Sequence, residues 1–220
     1  MTKATAKGGG EAGFSLVDLM IALGITLVIM VMAGRLLAMS MTVRQRELQR
    51  SEAVADVQRA LQVMTREISN AGLGMSNNGL VPANCDALAI RVRTNLNAFC
   101  SADPAAPPCD NNTTGPGEDV AFAIINNTTN GNNENQTLIT RQDVNSGAVS
   151  ALANRIDGLT FQYIDKNGAQ TADAAQAQRV RITVWVTLLA VGTKGQPGYQ
   201  PDTQMQLNSE AVLRNLLLDK

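Results

Sequence analysis

From Phe14 to Gly34 the chain runs 21 residues in which only Ser15, Asp18 and Thr26 are polar. As a helix rising about 1.5 Å per residue, that stretch is about 31 Å long, the thickness of a bilayer's hydrocarbon core. Lys3 and Lys7 precede it, with Glu11 partly offsetting them, and Arg35 follows directly. The basic flank predicts a cytoplasmic amino end and an extracytoplasmic remainder. Asp18 is the anomaly. A carboxylate inside an apolar span costs about 2.5–3.5 kcal/mol at mid-membrane and less near an end, so it needs either an interfacial position or a cationic partner.

The junction Gly13-Phe14-Ser15-Leu16-Val17-Asp18 resembles the amino-terminal signature of type IV prepilins and pseudopilins. In that family a membrane peptidase cuts after the glycine and N-methylates the new Phe. The resemblance implies cleavage between Gly13 and Phe14, methylation of Phe14, and an assembly role for Asp18, which stands where the family usually has Glu. After such a cut Phe14 carries an ammonium one helical turn from Asp18. Opposite charges ~4 Å apart gain about 4 kcal/mol at an effective dielectric near 20. The ammonium that meets Asp18 is its own or a neighbouring subunit's. There is no proline before Pro82, so any weak point in the span falls to Gly24 or Gly34. An ordinary secretory signal, cut near Ala33 or Ala38, is the rival. It would place Asp18 unusually at the entry to the apolar core.

A second likeness lies in the carboxyl half. Arg155-Ile156-Asp157-Gly158-Leu159-Thr160-Phe161-Gln162-Tyr163-Ile164-Asp165, then Lys166-Asn167-Gly168, and the ending Ser209-Glu210-Ala211-Val212-Leu213-Arg214-Asn215, resemble PilW-like minor pilins and the J-type minor pseudopilins of type II secretion. The implied protein is a minor pilin that helps initiate pilus assembly, near the filament tip, with other minor pilins and the major pilin. The implied alternative is a minor pseudopilin of a periplasmic tip complex. A signal-anchored periplasmic binding protein is the alternative from another class. Implied partners are the prepilin peptidase/methyltransferase, fellow pilins and inner-membrane lipid. The implied location is the inner membrane, single pass with a periplasmic head, and then the pilus.

Composition narrows the remaining functions. The net charge is −1 and aromatics are 3%, which offers nucleic acid neither a basic surface nor stacking platforms. With no histidine, Ser-His-Asp and Cys-His catalysis and the commonest metal ligand are gone. No phosphate loop, dinucleotide fingerprint or nucleophile elbow occurs, so neither enzyme activity nor a cofactor is expected. The Asp/Asn-rich segments 110–119 and 165–173 offer oxygen ligands for calcium but lack the EF-hand spacing, and turn chemistry accounts for both. Glu118-Asp119 reads as a pair of solvated loop acids. Cys85, Cys100 and Cys109 are an odd set on the predicted oxidising side, allowing at most one internal bridge, Cys100–Cys109 or Cys85–Cys100.

The expected fold class is α+β and pilin-like: a leader (1–13), a membrane and assembly helix (14–35), its amphipathic continuation (36–72) and an antiparallel β-rich head (73–220). Residues 36–70 hold no Pro or Gly, and Val54, Val57, Leu61, Met64 and Ile68 recur at helical spacing, predicting one buried seam. Gly72 supplies the stop. Strands are predicted at 88–93, 120–125 paired with 137–141, 159–164, 179–189 and 203–216. Val180, Ile182, Val184, Val186 and Leu188 share one face, opposite Arg181, Thr183, Trp185 and Thr187. Four of the seven prolines fall in 101–119 and six asparagines in 126–136, so both segments read as loop.

Overall fold

The computed structural model describes residues 15–98, 110, 112–127 and 136–217. It consists of one long helix followed by two antiparallel four-stranded sheets. Helix α1 spans Leu16–Ser69, 54 residues without interruption at Gly24 or Gly34. At about 1.5 Å per residue it is about 81 Å long. Ser15 caps its start by accepting a hydrogen bond from the Val17 N–H at 3.3 Å. At the far end Asn70 is the capping residue. The Asn215 side chain donates to the carbonyls of Asn70 (3.2 Å) and Ala71 (2.8 Å), satisfying acceptors that a helix end leaves open. Gly72, at φ +77°, then reverses the chain and donates its N–H to Arg93 O at 2.9 Å.

The first sheet is ordered β1 (Ala89–Arg93), β2 (Asp119–Asn127), β3 (Gln136–Asp143), β4 (Val149–Ala153). The predicted pairing of 120–125 with 137–141 is present, with Ile124 opposite Ile139. The second sheet is ordered β6 (Gln170–Thr171), β5 (Gly158–Ile164), β7 (Arg179–Leu188), β8 (Thr203–Val212). Strands β4 and β6 lie outside the sequence expectation. Ala, Ser and Leu dominate β4, giving weak strand propensity, and β6 is too short to show a period.

The core lies where α1 crosses the inward face of the second sheet and the edge of the first. Val57, Ala60, Leu61, Met64 and Ile68 from α1 are buried with Ile90, Phe122, Ile139, Leu159 and Phe161. All five predicted β7 positions, from Val180 to Leu188, are buried. Val54 is only half-buried, and Ala60 completes the seam. Thr183, on the opposite face, is also buried, between its cross-strand neighbours Thr160 and Asn208. The last strand stops at Val212 rather than Leu216, and Arg214–Leu217 forms a 3₁₀ turn. The chain leaves the sheet there because Leu213 is buried and Asn215 turns back to cap α1.

Strand β8 and helix α1 run in the same direction. Arg46 bonds Pro201 O, the Thr65 and Ser209 hydroxyls lie 2.8 Å apart, and Asn215 meets Ala71. The head therefore stands along the carboxyl-terminal half of the helix, fixed at both ends of the shared length.

Candidate assembly interface

The amino-terminal half of α1 is the feature with chemistry to account for. Between Leu16 and Leu37 every large apolar side chain is exposed, with relative accessibilities from 49% to 75%. Mean hydropathy over the best 18-residue window is 2.6, with none of that window buried. This helix is long and apolar enough to cross a membrane. Thr26 hides its hydroxyl by donating to Ala22 O at 2.7 Å, which removes a polar group that lipid would penalise. Apolar exposure continues past Arg35 at Met41, Val43 and Leu48, beyond the length of one bilayer core.

Asp18 sits in the first turn of α1, where the unsatisfied N–H groups and the helix dipole favour a negative charge. Gly13 and Phe14, the predicted cleavage pair, lie outside the described residues, as do Cys100 and Cys109. Cys85 carries a free thiol, half-buried, whose Sγ–H donates to Arg91 O at 3.5 Å. Burial pushes that thiol up from its ordinary value, and the thiol form is a poor nucleophile. Burial, with Cys85 and Asp86 alongside, likewise raises Tyr163. Its phenol donates to Asp86 O (3.0 Å) and Ala89 O (3.2 Å), tying the two sheets together.

Sequence reasoning missed Arg46. It lies on the helix between the exposed Val43 and Leu48, is 9% exposed, and has no carboxylate partner among the described residues. Its guanidinium instead donates to three carbonyls: Leu188 O (3.0 Å), Leu189 O and Pro201 O (2.7 Å). These close the loop 189–202, whose ends pair through Val191 and Gln200, N to O at 2.9 Å each way. Gly198, at φ +87°, lets the loop approach the helix. A Cβ there would stand 2.7 Å from Thr42 Oγ1 and 3.0 Å from Met39 Cα.

The acids expected to be solvated are buried. Glu118 is 1% exposed and accepts from the N–H groups of Leu96 (2.8 Å) and Gly115 (2.8 Å), pinning two loops. Asp119 faces Arg91 (2.7 Å) and Arg93 (2.8 Å) across the β1–β2 pair. Burial pushes its carboxyl up, but the two guanidiniums outweigh that and hold it below the usual carboxylate range. Alternation carries the signal in hindsight, because Arg91 and Arg93 project from one side of β1 while Ile90 and Val92 enter the core.

Asp165, in one of the Asp/Asn-rich segments, spends its carboxylate on the Asn167 (2.8 Å) and Ala169 (2.9 Å) N–H groups of a turn. Among the described residues, no three His, Cys, Asp or Glu side chains converge as a metal site would need. Trp185 is half-buried, with its ring 3.4 Å from where a Cβ on Gly158 would stand. Comparison with protein-family models, curated proteins and solved structures finds no match.

Proposed function

We propose that this protein is a minor type IV pilin, a structural subunit that joins other pilins through its amino-terminal helix and helps start filament assembly at the tip. One observation carries the reading: a continuous helix leaves all its large apolar side chains uncovered from Leu16 to Leu37, while its outer half is built into a β-rich head. Lipid suits the first stretch. Met41, Val43 and Leu48 extend the uncovered surface beyond a single span, which suits neighbouring helices better than lipid alone. Taking these three out of water is worth at most about 1.5–3 kcal/mol each, so packing against neighbouring helices gains most where the apolar surface leaves the bilayer.

In this reading the precursor sits in the inner membrane with a periplasmic head, and residues 1–13 are removed by a prepilin peptidase. Phe14 then becomes an N-methylated chain end, and Asp18 neutralises an ammonium within the helical pack. Amino-terminal analysis of protein from native cells tests this, with a start at N-methyl-Phe14 expected. An intact leader on functional molecules would refute it. Asp18→Ala should be cleaved normally yet lose co-purification with partner subunits, and unchanged co-purification would remove Asp18 from the mechanism. Deletion that stops enzyme secretion and leaves pili intact would move the protein to type II secretion.

A further inference from the structure

The second sheet ends on an open edge. Strand β8 is ten residues long and, among the described residues, pairs only with β7. Its hydrogen-bonding phase follows from two flanking hydrogen bonds and the strand register. Phe161 N–H turns away from β7 to Ala87 O, and Leu213 N–H bonds Gln178 O. With Val184 opposite Leu207 and Leu159, odd-numbered β8 residues bond β7. The main-chain groups of Gln204, Gln206, Asn208 and Glu210 therefore face outward.

The other sheet edges are shorter or covered. Residues 79–81 shield β1 through Val81 N to Arg91 O (3.0 Å) and Arg93 N to Gly79 O (2.7 Å). Strand β6 has two residues and β4 five. Within β8 there is no proline and no lysine, the usual devices that blunt an edge.

Beside this edge runs a groove of about 640 Å³ between β8 and α1, lined by Gln58, Gln62, Thr65, Arg66, Asn208 and Arg214 among others. From Gln58 to Asn70 it is about 18 Å long at the helical rise, room for roughly five extended residues. Arg66 and Arg214 stand at its membrane-distal end, and neither has a carboxylate partner among the described residues. Among the described residues, no acidic side chain lines it.

We infer that the β8 edge receives an extended segment of a different protein, added as a further strand, with a carboxylate at its membrane-distal end between Arg66 and Arg214. Main-chain hydrogen bonds would supply affinity and the two arginines would set register. A second copy of this chain does not fit. Because β8 and α1 run the same way, copies anchored in one membrane present their β8 edges parallel. An antiparallel β8 pair would invert one copy, and a two-fold parallel pair would set N–H against N–H. The inference requires the anchored helix but not the pilin reading, since leader cleavage can be normal whether or not the edge is occupied.

The test places a photoreactive benzoylphenylalanine at Gln62 in the full chain, in native membranes, and identifies the cross-linked peptide by mass spectrometry. The expected adduct is an Asp- or Glu-bearing extended segment of another protein. Asn208→Pro removes one outward N–H while leaving the β7 side intact, and Arg66→Glu with Arg214→Glu reverses the charge. Each should cut the yield by about tenfold or more. The exposed arginine pair carries the test if Asn208→Pro does not fold. No adduct, an adduct only on a second copy or on a helix, or a yield indifferent to the arginine reversal would overturn the inference.

Discussion

Replacing Arg46 by Met removes the guanidinium and keeps most of the stem. Three carbonyls lose their donor, of which Leu188 O is in buried surroundings and Leu189 O and Pro201 O are partly so. Hydrogen bonds to a charged donor contribute about 1.5–3 kcal/mol each. They act on one loop and do not add, and burying the cation costs part of the gain. A net loss of about 2–3 kcal/mol is the expectation, or roughly a 30- to 150-fold rise in the open population of the loop. The loop contains the exposed Lys194, so limited trypsin digestion reads that population where opening is fast relative to cleavage. Cutting after Lys194 should accelerate by a similar factor, and amide exchange at Val191 and Gln200 should accelerate with it. Arg46→Lys keeps the charge but loses the fork, and should fall between. If Arg46→Met leaves both cleavage and exchange unchanged, the three contacts do not hold the loop.

Two further expectations concern the head. Gly79→Ala places a Cβ 2.0 Å from Gly72 N and 2.5 Å from Arg93 O, at φ +73°. The backbone must move at the helix exit, for a loss of more than about 3 kcal/mol and a Tm lower by roughly 10 °C; a fall under a few degrees in a thermal melt would show that the exit loop is more pliable than its packing. The folded-state carboxyl of Asp119 lies below its unfolded value, held there by Arg91 and Arg93 against burial. Its stabilising contribution is therefore complete above about pH 4 and is lost as pH falls through the lowered folded value. Asp119→Asn should flatten that acid limb in pH-dependent unfolding, and an unaltered limb would assign acid sensitivity elsewhere.

The parts legible in the sequence are those where one period dominates. Val180 to Leu188 alternate without a break, and Val57, Leu61, Met64 and Ile68 keep helical spacing, so both faces follow from pattern alone. Strand β4 is not legible because Val149-Ser150-Ala151-Leu152-Ala153 has little β preference and is held by pairing with β3. The buried Glu118 and Asp119 escape detection for a different reason. Adjacent acids in a Gly/Pro-rich stretch look solvated, and only the fold brings Arg91, Arg93 and the Leu96 and Gly115 amides to them. Arg46 is invisible for the same cause, because its acceptors are main-chain carbonyls 142 to 155 residues away. The open β8 edge is a property of strand order, which no local pattern encodes.

The chain departs from α1 at Asn70 and is gripped by it again at Arg46, two anchor points about 36 Å apart along the helix. A body attached to a rod at one point can swivel, whereas one attached at two points so far apart moves with it. A tilt or rotation imposed on the apolar end is thus passed along the helix to the sheets, and a few degrees there becomes ångströms of travel at the far end. The protein behaves as a lever rather than as a cargo on a tether.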